Sequence, residues 1–421
     1  MKYDLAIERS LAALESGAES IELRAALTHW FQYPHALPPF FTENHKMRVL
    51  SELFPGFTKP VGFNDCRSVI EDSELYQPWL SLSWNGLSCP PAKSWDFTFI
   101  DLFAGIGGFR QAFQGAGGKC VFSSEWDKYA KKTYEANYGE TPYGDIRMID
   151  KAEIPNHDVL CAGFPCQPFS LAGVSSRNSL GRKHGFDDET QGTLFFEIKE
   201  ILRVKRPKAF MLENVKNLLS HNKGKTFDVI RHTLEDILGY VINWRVVDGA
   251  KWVPQHRERV FIVGFDPKQI EISRDDIVIP EGPEAGYCYP TLPAIIRQEL
   301  SGYTLGQGTW DSLKRHKENH EAKGNGFGYN LHAMPLSKDA VTRTMSARYH
   351  KDGAEILIDQ QGSRPRRLSV EEAMQLQGYD PERFIFPVSN SQAYKQIGNS
   401  VVVPAIRSTA KEIARTITKR G

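Results

Sequence analysis

Phe99-Ile100-Asp101-Leu102-Phe103-Ala104-Gly105-Ile106-Gly107-Gly108-Phe109 is an apolar strand that runs into a glycine turn and then into a helix. Glycines let a backbone pass close to a ligand, and a helix start offers N–H donors without intrahelical partners. Glu125 stands 20 residues beyond Gly105, at the end of the next apolar run, where an acid can bond ribose hydroxyls. Asp145 falls in a third strand-like stretch, Thr141 to Ile146. The pattern points to an adenosine-containing cofactor and leaves NAD open; a glycine turn used only for tight packing is the alternative. Trp126 could stack on an adenine or fill a core.

Outward from this turn, short apolar runs alternate with helical segments, the mark of a parallel α/β sheet. The runs are Phe97–Phe103, Lys119–Ser124, Asp158–Ala162, Ala209–Leu212, Val241–Val247 and Val260–Phe265. Past residue 266 the alternation fades into Gly-, Pro- and polar-rich sequence with isolated strand-like runs such as Ala354–Ile358. The expected organisation is a helical extension and linker over 1–95, a first catalytic part over 96–266, a smaller domain over 267–365, and a segment completing the catalytic domain over 366–421. In the extension, helical periodicity around Leu5, Leu11, Leu14, Leu23 and Leu27 breaks at the prolines 34, 38 and 39. A last helix is expected after Pro404.

Bulk properties narrow the class. The 421 residues carry a formal net charge of +1, so nucleic-acid binding would need local basic patches rather than a global field. No apolar run reaches the length of a membrane span, and no signal-peptide pattern opens the chain. Six cysteines (66, 89, 120, 161, 166 and 288) show neither CxxC pairs nor zinc spacing, which fits no metal and a reducing cytoplasm.

The chemistry-bearing residues sit near strand ends. Gly163-Phe164-Pro165-Cys166-Gln167-Pro168-Phe169-Ser170 presents a thiol between two prolines, just past the apolar run Val159–Ala162. Such a stiff turn suits a nucleophile, although small thiols are also common in cores. Leu212-Glu213-Asn214-Val215 puts a carboxylate at the end of another strand. Gln255-His256-Arg257-Glu258-Arg259 sets two arginines at alternate positions, so both can face one way on extended backbone. A helix N-cap for Glu213 or Asn214 and a solvated charged face for the arginines are the plainer alternatives. Thiol, acid and arginines beside a nucleotide turn argue together for an active site.

These blocks, closed by Gln392-Ala393-Tyr394-Lys395-Gln396-Ile397-Gly398-Asn399-Ser400-Val401, resemble the cytosine-carbon-5 DNA methyltransferases across nearly all of residues 97–415. The stretches 170–186, 190–196, 324–329 and 346–358 resemble the subgroup acting on CCWGG- or CCNGG-type sites. The resemblance implies a Rossmann-like S-adenosylmethionine-dependent sheet with a target-recognition domain. It makes Cys166 the nucleophile toward cytosine carbon 6, Glu213 the partner of ring nitrogen 3 and the exocyclic amine, and Arg259 the partner of the ring carbonyl. Arg257 would support the site or a phosphate. Phe103, Gly105, Gly107, Glu125, Trp126, Asp145, Ile146, Pro165, Asn399 and Val401 would line the cofactor pocket, with the last segment folded back beside the first strand. Gly398 would serve the turn there.

A base inside a duplex hides carbon 6, so this chemistry requires it to be flipped out. The glycine- and serine-rich stretch 170–192 would close over it, with Gln167, Ser170, Arg177, Arg182 and Lys183 on DNA. Base readout is expected within 300–352, from Arg343, Thr344 and Arg348, and a phosphate contact from Arg366. The family usually has Thr-Leu where this chain has Thr344-Met345. Expected partners are duplex DNA and a cognate restriction endonuclease for the same site, with no membrane and a monomeric chain. Three rivals remain: the RNA-directed branch of the same family, a DNA-binding autoregulator using the first 95 residues, and an NAD dehydrogenase.

Overall fold

Six strands form the central sheet: β1 (Phe97–Leu102), β2 (Gly118–Ser124), β3 (Val159–Gly163), β4 (Ala209–Val215), β5 (Val241–Asp248) and β6 (Glu258–Phe265). Their order is β2-β1-β3-β4-β6-β5. The computed structural model describes residues 3–14, 20–33, 43–53, 87–91, 94–164, 194–297, 300–324 and 328–419.

Strands β1 to β4 are parallel neighbours, whereas β6 runs antiparallel to both β4 and β5. This corrects the expectation of a wholly parallel sheet: the short 249–257 connection turns β5 back into β6, which a parallel pair would not permit. Thr141–Ile146 is no strand either. Among its residues only Tyr143 bridges to the sheet, at Ser124, and Asp145 caps a single helical turn, Ile146–Met148. Of Ala354–Ile358, two residues pair: β8 (Leu357–Ile358) beside β7 (Leu331–His332).

Both faces of the sheet are covered, which explains why its strands read as near-continuous apolar runs. One face presents Phe99, Val159, Cys161, Met211 and Val263 to α4 (Gly108–Gln114) and to the C-terminal helix that follows Val402. The other presents Ile100, Leu102, Leu160, Phe210 and Ile262 to α6 (Leu194–Lys205), α7 (Lys225–His232) and the N-terminal helices. Helix α5 (Lys128–Tyr138) follows β2 and starts from an Asp127 cap. Residues of the 267–365 stretch, among them Ile277, Leu292, Met345 and Ile356, join the first of these cores. A minor cluster of Leu305, Leu313 and Leu357 packs against Trp310 and Tyr329 near α8 (Gln307–Glu321).

The N-terminal extension contains α1 (Tyr3–Ala13), α2 (Ser20–Gln32) and α3 (Glu43–Leu53). Helix α2 lies against the outer edge of the sheet, where His29 Nε2 accepts the Ser123 N–H at 3.0 Å while His29 Nδ1–H bonds the Ala25 carbonyl at 2.8 Å. Burial lowers the His29 pKa and keeps the ring in the neutral form this bonding requires. After α9 (Val370–Gln375) and α10 (Asn390–Asn399), the chain ends in α11 (Val403–Lys419), with Pro404 in its first turn as expected.

Candidate active site

The turn after β1 is built for close approach. Phe103, Gly105 and Gly107 all have positive φ, 54°, 56° and 81°. A left-handed phenylalanine costs on the order of 1–3 kcal/mol, and such strain gathers at functional sites. A Cβ on Gly107 would come within 2.3 Å of the Tyr138 ring, whose hydroxyl donates to the Gly107 carbonyl at 2.8 Å. A Cβ on Gly105 would meet nothing within 4 Å. Gly107 is demanded by packing; Gly105 opens on free space.

Glu125 closes this turn from β2. Its carboxylate accepts the Gly105 N–H at 2.7 Å and the Asp127 N–H at 2.8 Å, one on each oxygen. Burial pushes its pKa up, against the pull of those N–H donors. A carboxylate has about four acceptor positions, so each oxygen keeps one for a diol. Trp126, 77% exposed, leaves an open ring face next to it. Asp145 is held chiefly by Arg147, which lowers its pKa; this pair is open to solvent and can be broken at little cost. The Ile146 side chain is buried in the core, so only its backbone is free to line a pocket. These features fit an adenosine-type cofactor: a bare turn, an acid with spare acceptors, a flat ring and a second acid.

The C-terminal segment folds back onto the helix that follows the β1 turn. Val401 Cγ2 lies 2.6 Å and Ser400 Oγ 3.3 Å from where a Gly108 Cβ would be, and Ser400 Oγ pairs with the Tyr379 hydroxyl at 2.7 Å. Asn399 is exposed at the end of α10. Gly398 admits the 346–347 backbone so closely that a Cβ would fall 2.3 Å from the Ser346 carbonyl.

On the reaction side, Glu213 stands two residues before the end of β4, opposite Gly163 of β3 and Phe261 of β6. Arg259 stands two residues from Phe261 on the same face of β6, which brings its Nε to 3.0 Å from Glu213 Oε1. Burial raises the Glu213 pKa, and Arg259 and then Arg257 oppose it. A Cβ on Gly163 would lie 3.4 Å from Glu213 Oε2 and 3.5 Å from the Phe109 ring. The cofactor turn's helix and the β4 carboxylate therefore converge on Gly163. Asn214 Nδ2 donates to the Phe164 carbonyl at 3.0 Å and anchors the chain two residues before Cys166. Neither this anchor nor the Tyr379–Ser400 pair was picked out from the sequence, because amides and hydroxyls carry no spacing signal. Pro165, Cys166, Gln167, Ser170, Arg177, Arg182 and Lys183 lie outside the described residues, as does the stretch 170–192.

Two arginines expected to be able to meet a phosphate are buried instead. Arg257 does not share a target with Arg259. It is 3% exposed, and its guanidinium donates to the carbonyls of Met345, Gly398 and Ser400, so it supports the site by tying three segments together and its burial closes it to a phosphate. Burial and the neighbouring Arg259 push its pKa down to about 9. Arg366 is no phosphate ligand. It is 2% exposed, bonds both oxygens of Glu372 at 2.8 and 2.9 Å, and donates to the Arg297 carbonyl. Arg343 and Arg348 are exposed. Their segment is fastened to the 254–257 stretch: the Thr342 N–H donates to the Pro254 carbonyl, the His256 N–H donates to the Thr342 carbonyl, Gln255 Oε1 accepts the Met345 N–H, and Thr344 Oγ1 bonds the His256 carbonyl at 2.6 Å. Beside it runs an open cleft lined by Lys216, Asp248, His256, Glu258 and Thr344.

An α/β sheet with a nucleotide-type turn on one rim and an acid–arginine pair on the same rim defines a cofactor-dependent group-transfer enzyme. The C-5 cytosine-specific DNA methylase family matches residues 97–415, and the chain belongs to it: it is a DNA (cytosine-5-)-methyltransferase. The DNA-cytosine methyltransferase of Escherichia coli K12 is 44% identical over 378 residues, spanning 76% of this chain and 79% of that protein. The Type II methyltransferase M1.ScrFI of Lactococcus lactis subsp. cremoris is 47% identical over 330 residues, 78% of this chain and 80% of its own length. The Type II methyltransferase M.HpaII of Haemophilus parainfluenzae is 42% identical over 369 residues, 82% and 97%. The crystal structure of Spodoptera frugiperda DNMT2 shares the fold, with a TM-score of 0.58 at 17% identity, covering 75% of this chain and 99% of that one. No helix among the described residues is long and apolar enough to cross a membrane.

Proposed function

We propose that this enzyme methylates carbon 5 of a cytosine flipped out of duplex DNA, through a transient bond to Cys166, as the modification half of a Type II restriction–modification pair. The observation that carries the reading is the convergence of the cofactor turn and the Glu213–Arg259 pair on Gly163. Three peptide units separate Gly163 from Cys166, so at 3.8 Å per unit its Cα lies within about 11 Å of that point.

S-adenosylmethionine, when bound, supplies the methyl group; Glu125 would take its ribose, and Trp126 and Asp145 its adenine. Everything else falls to the chain. The Cys166 thiolate adds to carbon 6, and the carbon 5–carbon 6 electron pair shifts toward carbon 5. Glu213, whose burial favours the protonated carboxyl, bonds ring nitrogen 3 and offsets the charge that develops on addition. Arg259 binds the ring carbonyl. Loss of the carbon 5 proton to a base then restores the double bond and expels the Cys166 thiolate. Arg343, Thr344 and Arg348, on a segment tied to the 254–257 stretch at Thr344 and Met345, serve as base or phosphate contacts.

The target is the inner cytosine of a CCWGG- or CCNGG-type site, on the likeness of the lid and recognition stretches to that subgroup. Relatives named Type II methyltransferases support a partner endonuclease. Cytoplasmic location follows from a substrate that is cellular DNA. Bisulfite sequencing of DNA from cells expressing the chain should show 5-methylcytosine at one such motif, and Cys166→Ser should erase it. Methylation that persisted in the variant would remove the covalent mechanism. Transfer to tRNA in preference to duplex DNA, measured side by side, would favour the RNA-directed reading.

A further inference from the structure

Helices α1 to α3 precede the stretch that the family match covers, yet α2 directs its polar side chains at the cofactor half of the sheet. Gln32 accepts from Arg110 Nη2 at 2.7 Å and donates to the Tyr138 carbonyl at 2.6 Å. Thr28 Oγ1 accepts the Thr141 N–H at 3.0 Å, and Arg24 Nε reaches Glu135 at 2.8 Å. At the start of the helix, Glu22 Oε1 accepts the Gly144 N–H at 3.0 Å. A Cβ on Gly144 would stand 2.6 Å from that same oxygen, so the residue is bare where the carboxylate arrives. The other side of Gly144 is held from β2, by Ser124 Oγ on its carbonyl at 2.7 Å. The second Glu22 oxygen is buried with no hydrogen bond among the described residues. Asp145 follows directly, at the adenine end of the pocket.

We infer that Glu22 is a positioning residue of the cofactor pocket: clamped between Glu22 and Ser124, Gly144 holds Asp145 and the Ile146 backbone where an adenine must be met. The N-terminal extension is then a wall of the catalytic site and not a detachable module. This rests on the reading of Asp145 as an adenine contact. Without the clamp, the 139–145 turn keeps its contacts to β2 through Tyr143 but loses the fixed peptide plane that aims Asp145.

The test uses the full chain, titrated with S-adenosylmethionine and assayed on duplex DNA. Glu22→Ala should raise Kd and KM for the cofactor by about fivefold to tenfold, the net size of one ordinary hydrogen bond, with kcat within about twofold. Glu22→Gln retains a carbonyl acceptor and should recover most of that loss. Ser124→Ala opens the clamp from the other side and should raise Kd likewise, so the inference stays testable should Glu22→Ala be too unstable to titrate. Arg9→Ala cuts the Arg9–Glu52 pair between α1 and α3 and should lower Tm while leaving Kd alone. Parental KM in Glu22→Ala and Ser124→Ala, or an equal rise in Arg9→Ala, would overturn the inference. Asp145→Ala separates the two levels: if it leaves Kd unchanged, the adenine reading itself fails; if it weakens binding and Glu22→Ala does not, only the clamp fails.

Discussion

Glu125 and Glu213 are both buried carboxylates at the C-terminal ends of strands of one sheet, yet the two regions hold them by opposite means. Glu125 is gripped by backbone, one N–H on each oxygen, in a turn whose shape glycines set. Glu213 is gripped by side chains, with Arg259 in contact and Arg257 behind it. Burial raises both pKa values. A backbone grip cannot be exchanged, which suits a site that orients a cofactor. An arginine on a flexible stem can shift as a base enters, which suits a carboxyl that must share or pass a proton.

The contrast breaks most visibly in kinetics. Glu213→Gln should lower kcat by about 10²–10⁴, the usual worth of a positioned acid, with cofactor Kd unchanged. Glu125→Gln should do the reverse, weakening cofactor binding while sparing kcat at saturation. Matching kinetic patterns in the two variants would mean the regions are not functionally distinct.

A second contrast separates buried from exposed arginines. Arg366→Ala leaves Glu372 charged and unpaired in the core and should cost about 3–5 kcal/mol of stability, read by denaturant unfolding. Arg343→Ala should leave Tm in place and weaken specific DNA binding by about 1–3 kcal/mol if it reads a base. A loss confined to the salt slope would instead make Arg343 a phosphate contact.

The smallest expected effect sharpens the Glu213 argument. A carboxyl whose pKa is raised on folding contributes stability below the unfolded value near 4.5, lost as pH rises through the folded one. Glu213→Gln removes that loss, so its stability relative to the parent should improve as pH climbs from 4 toward neutrality, as read by urea unfolding at each pH. A gap that is flat with pH would contradict a raised Glu213 pKa.

Most of the sheet could be read in advance, because a strand buried on both faces writes itself as an apolar run. Strand direction could not, since periodicity looks the same both ways, and the run Val260–Phe265 carries no mark of its antiparallel course. Thr141–Ile146 carried its own warning in Pro142 and Gly144, which weaken any strand. Arg366 sat in a basic run that looks alike solvated or buried. The clue was the capping box Ser369–Glu372, which places an acid in the first turn of α9, six residues beyond Arg366. Arg257 and Arg259 were rightly spaced to share a face. Arg257, however, precedes β6 and turns to the C-terminal segment, a tertiary contact that no local pattern announces.

The most direct test of the account incubates the enzyme and S-adenosylmethionine with duplex oligonucleotides carrying 5-fluorocytosine at the target, where fluorine blocks the final elimination. Mass spectrometry should then find the DNA joined to the peptide containing Cys166, and to no other. Ordinary duplex DNA methylated at the same site, with no such conjugate from the fluorinated one, would contradict it.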